Sequence, residues 1–127
     1  MCIRDRNKQY VRWGDLDAFG HVNNATYLVY AQEARYTWSK MHEMVVARAE
    51  VDFIAPIYTG DIYLDIEIWV HSIGNSSFGL TYEMKNGDEL VARIKTVQVT
   101  VSMDTKKSRP INDAEREFLT KYLETEQ

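Results

Sequence analysis

The sequence of 127 residues has one cysteine, Cys2, three histidines and two prolines, and these scarcities exclude several classes of protein. A single thiol cannot build an internal disulfide framework. Three scattered histidines with that one cysteine give no metal-ligand spacing, so neither a metal nor another cofactor is expected. No apolar run approaches the roughly 18 residues of a membrane span, and the N-terminus lacks the apolar stretch of a secretory signal. With so little cysteine, a reducing, cytoplasmic setting is expected, with no membrane partner. Basic residues are few as well. Against 19 Asp and Glu stand 15 Lys and Arg, a formal net charge of -4, which argues against nucleic acid held on a broad basic face. What remains is 45% hydrophobic and 27% charged residues, sufficient for one globular domain with a modest core.

Residues 1–7 mix charges with little apolar content and are expected to be a disordered tail or an artefact, leaving residues 8–127 as a single domain. "KQYVRW" (8–13) predicts a short strand. From Ala25 to about Met41, Tyr27, Tyr30, Ala31, Ala34 and Trp38 recur at helical spacing. Leu28, Val29 and Tyr36 make the other faces of this helix apolar too, so it is expected to be covered on more than one side. "VVARAEVDFIAPI" (45–57) predicts a strand closed by Pro56 and the "YTGD" turn. In "DIYLDIEIWVHSI" the apolar face is Ile62, Leu64, Ile66, Ile68 and Val70, opposite Asp61, Asp65, Glu67 and His71. Phe78, Leu80, Tyr82 and Met84 alternate next, and Asn86-Gly87 signals a hairpin. The last strand, 89–103, switches its apolar face between Ile94 and Val97, which predicts a bulge near Lys95 and Thr96. Pro110, Asn112 and Asp113 followed by Phe118, Leu119 and Tyr122 predict a short amphipathic helix. The order is strand, loop, long helix, four strands, short helix: an α+β fold in which an antiparallel sheet curls around one long helix. His42 and His71 read as surface residues.

"DLDAFGHVNNATY" (15–27) concentrates polar side chains just before the long helix. Asn23 suits an N-cap, which would stabilise the helix by ~1 kcal/mol and fix the direction of its amides. Gly20 suits a turn with positive φ or a close approach to a ligand. His21 either positions a neighbouring group or serves as a hydrogen-bonded structural residue. No G-x-S-x-G elbow is present, and Cys2 lies in the tail, so the common nucleophile routes lack support.

The run "WGDLDAFGHVNNATYLVYAQEAR", followed by four strands in this order, resembles the hotdog fold, and within it the 4-hydroxybenzoyl-CoA thioesterase family. Asp17, Gly20, His21, Val22, Asn23, Asn24 and Tyr27 stand where that family places its motif. Similar H-V-N-N segments occur in long-chain acyl-CoA and plant acyl carrier protein thioesterases, whereas the aromatic-substrate branch usually replaces the segment. The resemblance therefore implies hydrolysis of an acyl-CoA, or an acyl carrier protein thioester, to free fatty acid and thiol. It assigns the catalytic carboxylate, as base or nucleophile, to Asp17 and the carbonyl-polarising backbone N–H to Asn24, with His21, Asn23 and Gly20 around them. Asp15 is expected only to brace the loop. The resemblance also implies a homodimer or tetramer with active sites between subunits. The phosphates of CoA need cations, and Lys106, Lys107 and Arg109 form the dense basic cluster, preceded by Arg93 and Lys95 on a strand; it reads either as a phosphate site or as a solvated surface run before the last helix. The alternative is a noncatalytic hotdog module that binds an acyl chain or acyl carrier protein, with Asp17 serving only the loop; a dehydratase or hydratase on the same fold is a third option.

Overall fold

The computed structural model describes residues 3–124; Cys2 lies outside them. Five strands and two helices follow in the order β1 (Asp5–Val11), α1 (Asn24–Trp38), β2 (Met44–Phe53), β3 (Ile62–Ile73), β4 (Ser77–Asn86), β5 (Glu89–Thr100) and α2 (Asp113–Lys121), with one 3-10 turn at Trp13–Asp15. All pairings are antiparallel, and the strands lie side by side as β1-β3-β4-β5-β2. The core is the helix-facing side of this sheet, where Leu64, Ile66, Ile68, Leu80, Tyr82, Met84 and Ile94 meet Tyr27, Tyr30, Ala31, Ala34 and Trp38 of α1. That matches the two periodicities, 2 on the strands and 3.6 on the helix.

Several expectations need correction. The first strand begins at Asp5, so residues 5–7 belong to the folded sheet and not to a tail. Arg4 is already fixed, with Nε and Nη2 donating to Glu124 at 2.8 and 2.6 Å and its guanidinium 3.8 Å from the centre of the Trp69 ring. Charge alternation there is cross-strand pairing, and Lys8 meets Asp65 of β3 at 2.8 Å. The helix is covered on one side only within the chain, since Leu28, Val29 and Tyr36 are 41 to 50% exposed. The hairpin loop is Gly87-Asp88 with the positive φ at Gly87, so Asn86 still pairs with Glu89. His71 sits in a bulge between Val70 and Ser72, half-buried and bonded through Nδ1 to the Thr81 hydroxyl at 2.9 Å.

β5 has no bulge at Lys95 and Thr96, which pair in unbroken register with β4. Its buried face runs on through Thr96, Gln98 and Thr100, all 2% exposed or less. The face turns polar instead of switching sides. The hydroxyl of Tyr82 lies 2.9 Å from Thr96 Oγ1 and accepts from Arg35 Nη1 at 3.1 Å, and Gln98 Nε2 donates to Thr96 Oγ1. The nearest irregularity is on the partner strand, between Val46 and Arg48 of β2.

Candidate active site

Between β1 and α1 the chain closes a tight loop. Leu16 and Val22 pair across its neck, and inside it the Asp17 N–H donates to the His21 carbonyl at 2.9 Å while the Gly20 N–H donates to the Asp17 carbonyl at 3.0 Å. Gly20 turns the corner at φ 84°, a region in which a Cβ is strained. Two more bonds tie the loop to its surroundings: Val22 N–H to the Ile57 carbonyl at 2.8 Å, and Asn23 N–H to the Asp15 carbonyl at 3.1 Å.

The two acids of this loop have different surroundings. Asp15 is held by the Tyr30 hydroxyl at 2.6 Å and by the Arg12 backbone N–H at 3.1 Å, with Arg12 Nε at 3.3 Å. Burial alone pushes its carboxyl upward, but the Tyr30 hydroxyl and the Arg12 amide and charge outweigh burial and hold it below the usual carboxylate value. Burial and the bond to Asp15 push the Tyr30 hydroxyl upward, so it stays protonated and donates. Asp17 spends Oδ1 on the Phe19 N–H at 2.9 Å, and its Oδ2 stands 3.8 Å from His21 Nδ1. His21 Nδ1 also lies 3.2 Å from the Val22 carbonyl.

Asn23 caps α1: its side chain accepts from the Ala25 N–H at 2.9 Å, and its carbonyl takes the Thr26 N–H, also at 2.9 Å. Those two bonds leave the Asn24 N–H, at the first helical position, without an acceptor among the described residues. Asn24 and His21 border a cleft of about 260 Å³ lined also by Tyr27, Phe53, Ile54 and Pro56. An unmet amide at the positive end of a helix whose first residue borders a cleft suits an oxygen that gains negative charge. Asp17 stands behind His21 and does not border the cleft.

The structure thus brings Asp17, Gly20, His21, Asn23 and Asn24 together. Lys106, Lys107 and Arg109 lie elsewhere, between β5 and α2, and Arg109 borders a pocket with Trp38 at the far end of α1. That helix alone is about 22 Å long at ~1.5 Å per residue. Arg109 is also engaged already, with Nη1 and Nη2 on Glu115 at 2.8 and 2.9 Å and Nε 3.7 Å from Glu43. The sequence reading missed Phe53, Ile54 and Tyr58 around the loop, where His21 meets the Tyr58 ring edge-on. No local pattern marks them, because they reach the site from the end of β2 and the β2–β3 connection.

Residues 11–119 match the model of the thioesterase-like superfamily. The chain belongs to that superfamily. Its fold is the hotdog fold: a predicted thioesterase from Bacillus stearothermophilus is similar with a TM-score of 0.91 at 25% identity, over 98% of this chain and 100% of that one. A thioesterase from Thermus thermophilus, complexed with coenzyme A and Zn, is 30% identical with a TM-score of 0.81 over 90% of each chain. By sequence, a 1,4-dihydroxy-2-naphthoyl-CoA hydrolase of Microcystis aeruginosa is 29% identical over 80 residues, 63% of this chain and 56% of that protein. Family and neighbours together support thioester hydrolysis in general.

Proposed function

We propose that this chain hydrolyses an acyl-CoA thioester to the free acid and CoA, in the cytoplasm and in the metabolism of fatty acyl groups. The observation that carries this reading is the unmet Asn24 N–H beside a cleft that His21 also borders, with Asp17 behind His21. The thioester carbonyl accepts from that amide, and the helix end stabilises the oxyanion as it forms. Asp17 Oδ2, which no donor among the described residues satisfies, takes a proton from the water that attacks the carbonyl, or itself attacks to give an anhydride that water then opens; the CoA thiol leaves in either case, and His21 between Asp17 and the cleft orients the attacking group. Gly20 and Asn23 hold the geometry. The phosphates of CoA fall to Lys106 and Lys107, with Arg109, of a second copy of the chain.

One observation favours the second reading, a noncatalytic module for an acyl chain or acyl carrier protein: Asp17 Oδ1 is bonded to the Phe19 N–H, and the side chain is set back from the cleft. Asp17→Asn separates the two. Asn keeps the shape and the bond to Phe19 but cannot act as base or nucleophile. Catalysis by Asp17 requires kcat for acyl-CoA to fall by about 10²-fold or more with little change in KM or Tm. Turnover near that of the unaltered protein would support the binding module.

A further inference from the structure

Arg35 is a buried cation without a buried anion. The residue is 6% exposed, and its protein contacts are the 3.1 Å bond from Nη1 to the Tyr82 hydroxyl and the ring of Tyr36. Among the described residues no carboxylate pairs with it. A guanidinium stays protonated under all ordinary conditions, so its burial without a counter-charge costs stability that a partner would restore. Its Nε and Nη2 are not among the polar atoms sealed without a partner; they open onto the clefts that Arg35 borders. Linked to Arg35 through Tyr82 and Thr96, Gln98 is fully buried and bonded to Thr96 through one end of its amide, while the other end, Oε1, has no partner among the described residues. Turning the amide over leaves Nε2 unmet instead.

Arg35 lies on the same helix, α1, as the Asn24 end of the candidate active site. Two clefts that share Gln32, Arg35 and Val46 run between α1 and β2, and the cleft at Asn24 and Phe53 lies farther along the same helix and strand. Arg35 is eleven residues after Asn24, about 16 Å along the axis, and its side chain leans back toward the helix N-terminus. An acyl group with its thioester at the Asn24 N–H would lie along α1 and end at Arg35. Its first part would meet apolar walls and its last part a cation. We propose that Arg35, with Thr96 and Gln98 behind it, binds a carboxylate at the far end of the acyl group, so that the favoured substrates are CoA monothioesters of dicarboxylic acids. This rests on the reading of the chain as a thioester hydrolase and narrows its substrate.

The test is kcat/KM for pairs of unsubstituted and ω-carboxylated acyl-CoAs of equal carbon number, over graded lengths. The unaltered protein favours the ω-carboxylated member by about tenfold or more at the length that spans the groove. Arg35→Gln brings that ratio close to one. Gln98→Met lowers it severalfold, and this variant keeps the test alive if Arg35→Gln does not fold, because it replaces an unmet amide with an apolar group of similar shape. Equal or better turnover of the unsubstituted member at every length overturns the inference. So does an unchanged ratio in folded variants, including the case in which Arg35→Gln only splits an oligomer, which would assign Arg35 to a subunit contact. If no thioester of either kind is hydrolysed, the functional reading fails by itself. Calorimetric titration with free dicarboxylic and monocarboxylic acids of equal length then decides: tighter binding of the diacid, lost in Arg35→Gln, upholds the subsite, and equal binding removes it.

Discussion

Asp15 and Asp17 stand two residues apart, and the fold gives them separate work. The spacing D-x-D and the cap-forming Asn23 were legible in sequence because loop and cap chemistry is local. The Tyr30 hydroxyl on Asp15 was not, because it comes from fifteen residues along the chain, on α1. That bond makes Asp15 a pH-sensitive brace. Its carboxyl is held below the usual value, so its contribution to stability is full above the unfolded-state pKa of about 3.9 and fades as the pH falls through the lower folded-state value. Asp15→Asn should therefore lower stability by about 1–3 kcal/mol at neutral pH and by progressively less in acid. Denaturant melts of both proteins at a series of pH values check this. A difference that stays constant from neutral to strongly acid pH would show that the charge on Asp15 is not what braces the loop.

Whole elements were legible where their apolar face stayed apolar. β3 and β4 carry Leu64 to Val70 and Phe78 to Met84 on the buried side, and the helix period of α1 is plain. β5 misled because a change from Ile94 to Thr96 and Gln98 on one face looks in sequence like a change of face, and only the Tyr82 and Arg35 partners reveal a buried polar niche. β2 was legible as a strand, though it ends at Phe53, ahead of Pro56, and most of it is exposed as an edge paired with β5. α2 was legible through its start signal. Asn112 accepts from the Glu115 N–H at 2.8 Å, and the Glu115 carboxylate accepts from the Asn112 N–H at 3.0 Å. The Arg109 hydrogen bonds, against a burial effect that pushes upward, and the Asn112 N–H hold Glu115 below its usual value. Asn112→Ala should cost about 1 kcal/mol, read as a lower Tm, without altering kcat for the loop chemistry at the other end of α1. A Tm unchanged by the substitution would mean that Leu119, fully buried, docks α2 without help from its cap.

At the scale of the molecule, apolar surface is left over along one side. Val45 and Val46 on β2 are 52 and 45% exposed, Phe53 is 49% exposed, and Leu28 and Tyr36 on α1 add to the same flank. The free edge of β2 offers unpaired backbone groups beside them, and a long edge strand with apolar side chains invites pairing unless something covers it. The expected cover is a second copy, giving a homodimer or a tetramer built from it and closing the clefts between α1 and β2 over the bound acyl group. The same arrangement is proposed to bring the basic cluster of one copy to the Asn24 cleft of the other. A charge placed on that edge tests both consequences together. Val45→Lys should shift the protein toward monomer in light scattering, and the monomer should lose most of its kcat/KM for acyl-CoA, with the larger part of the loss in KM if the CoA phosphates are bound across the pair. A Val45→Lys monomer with KM and kcat both intact would put the whole site within one chain, and the CoA phosphates would then need cations nearer to Asn24 than Lys106 and Lys107.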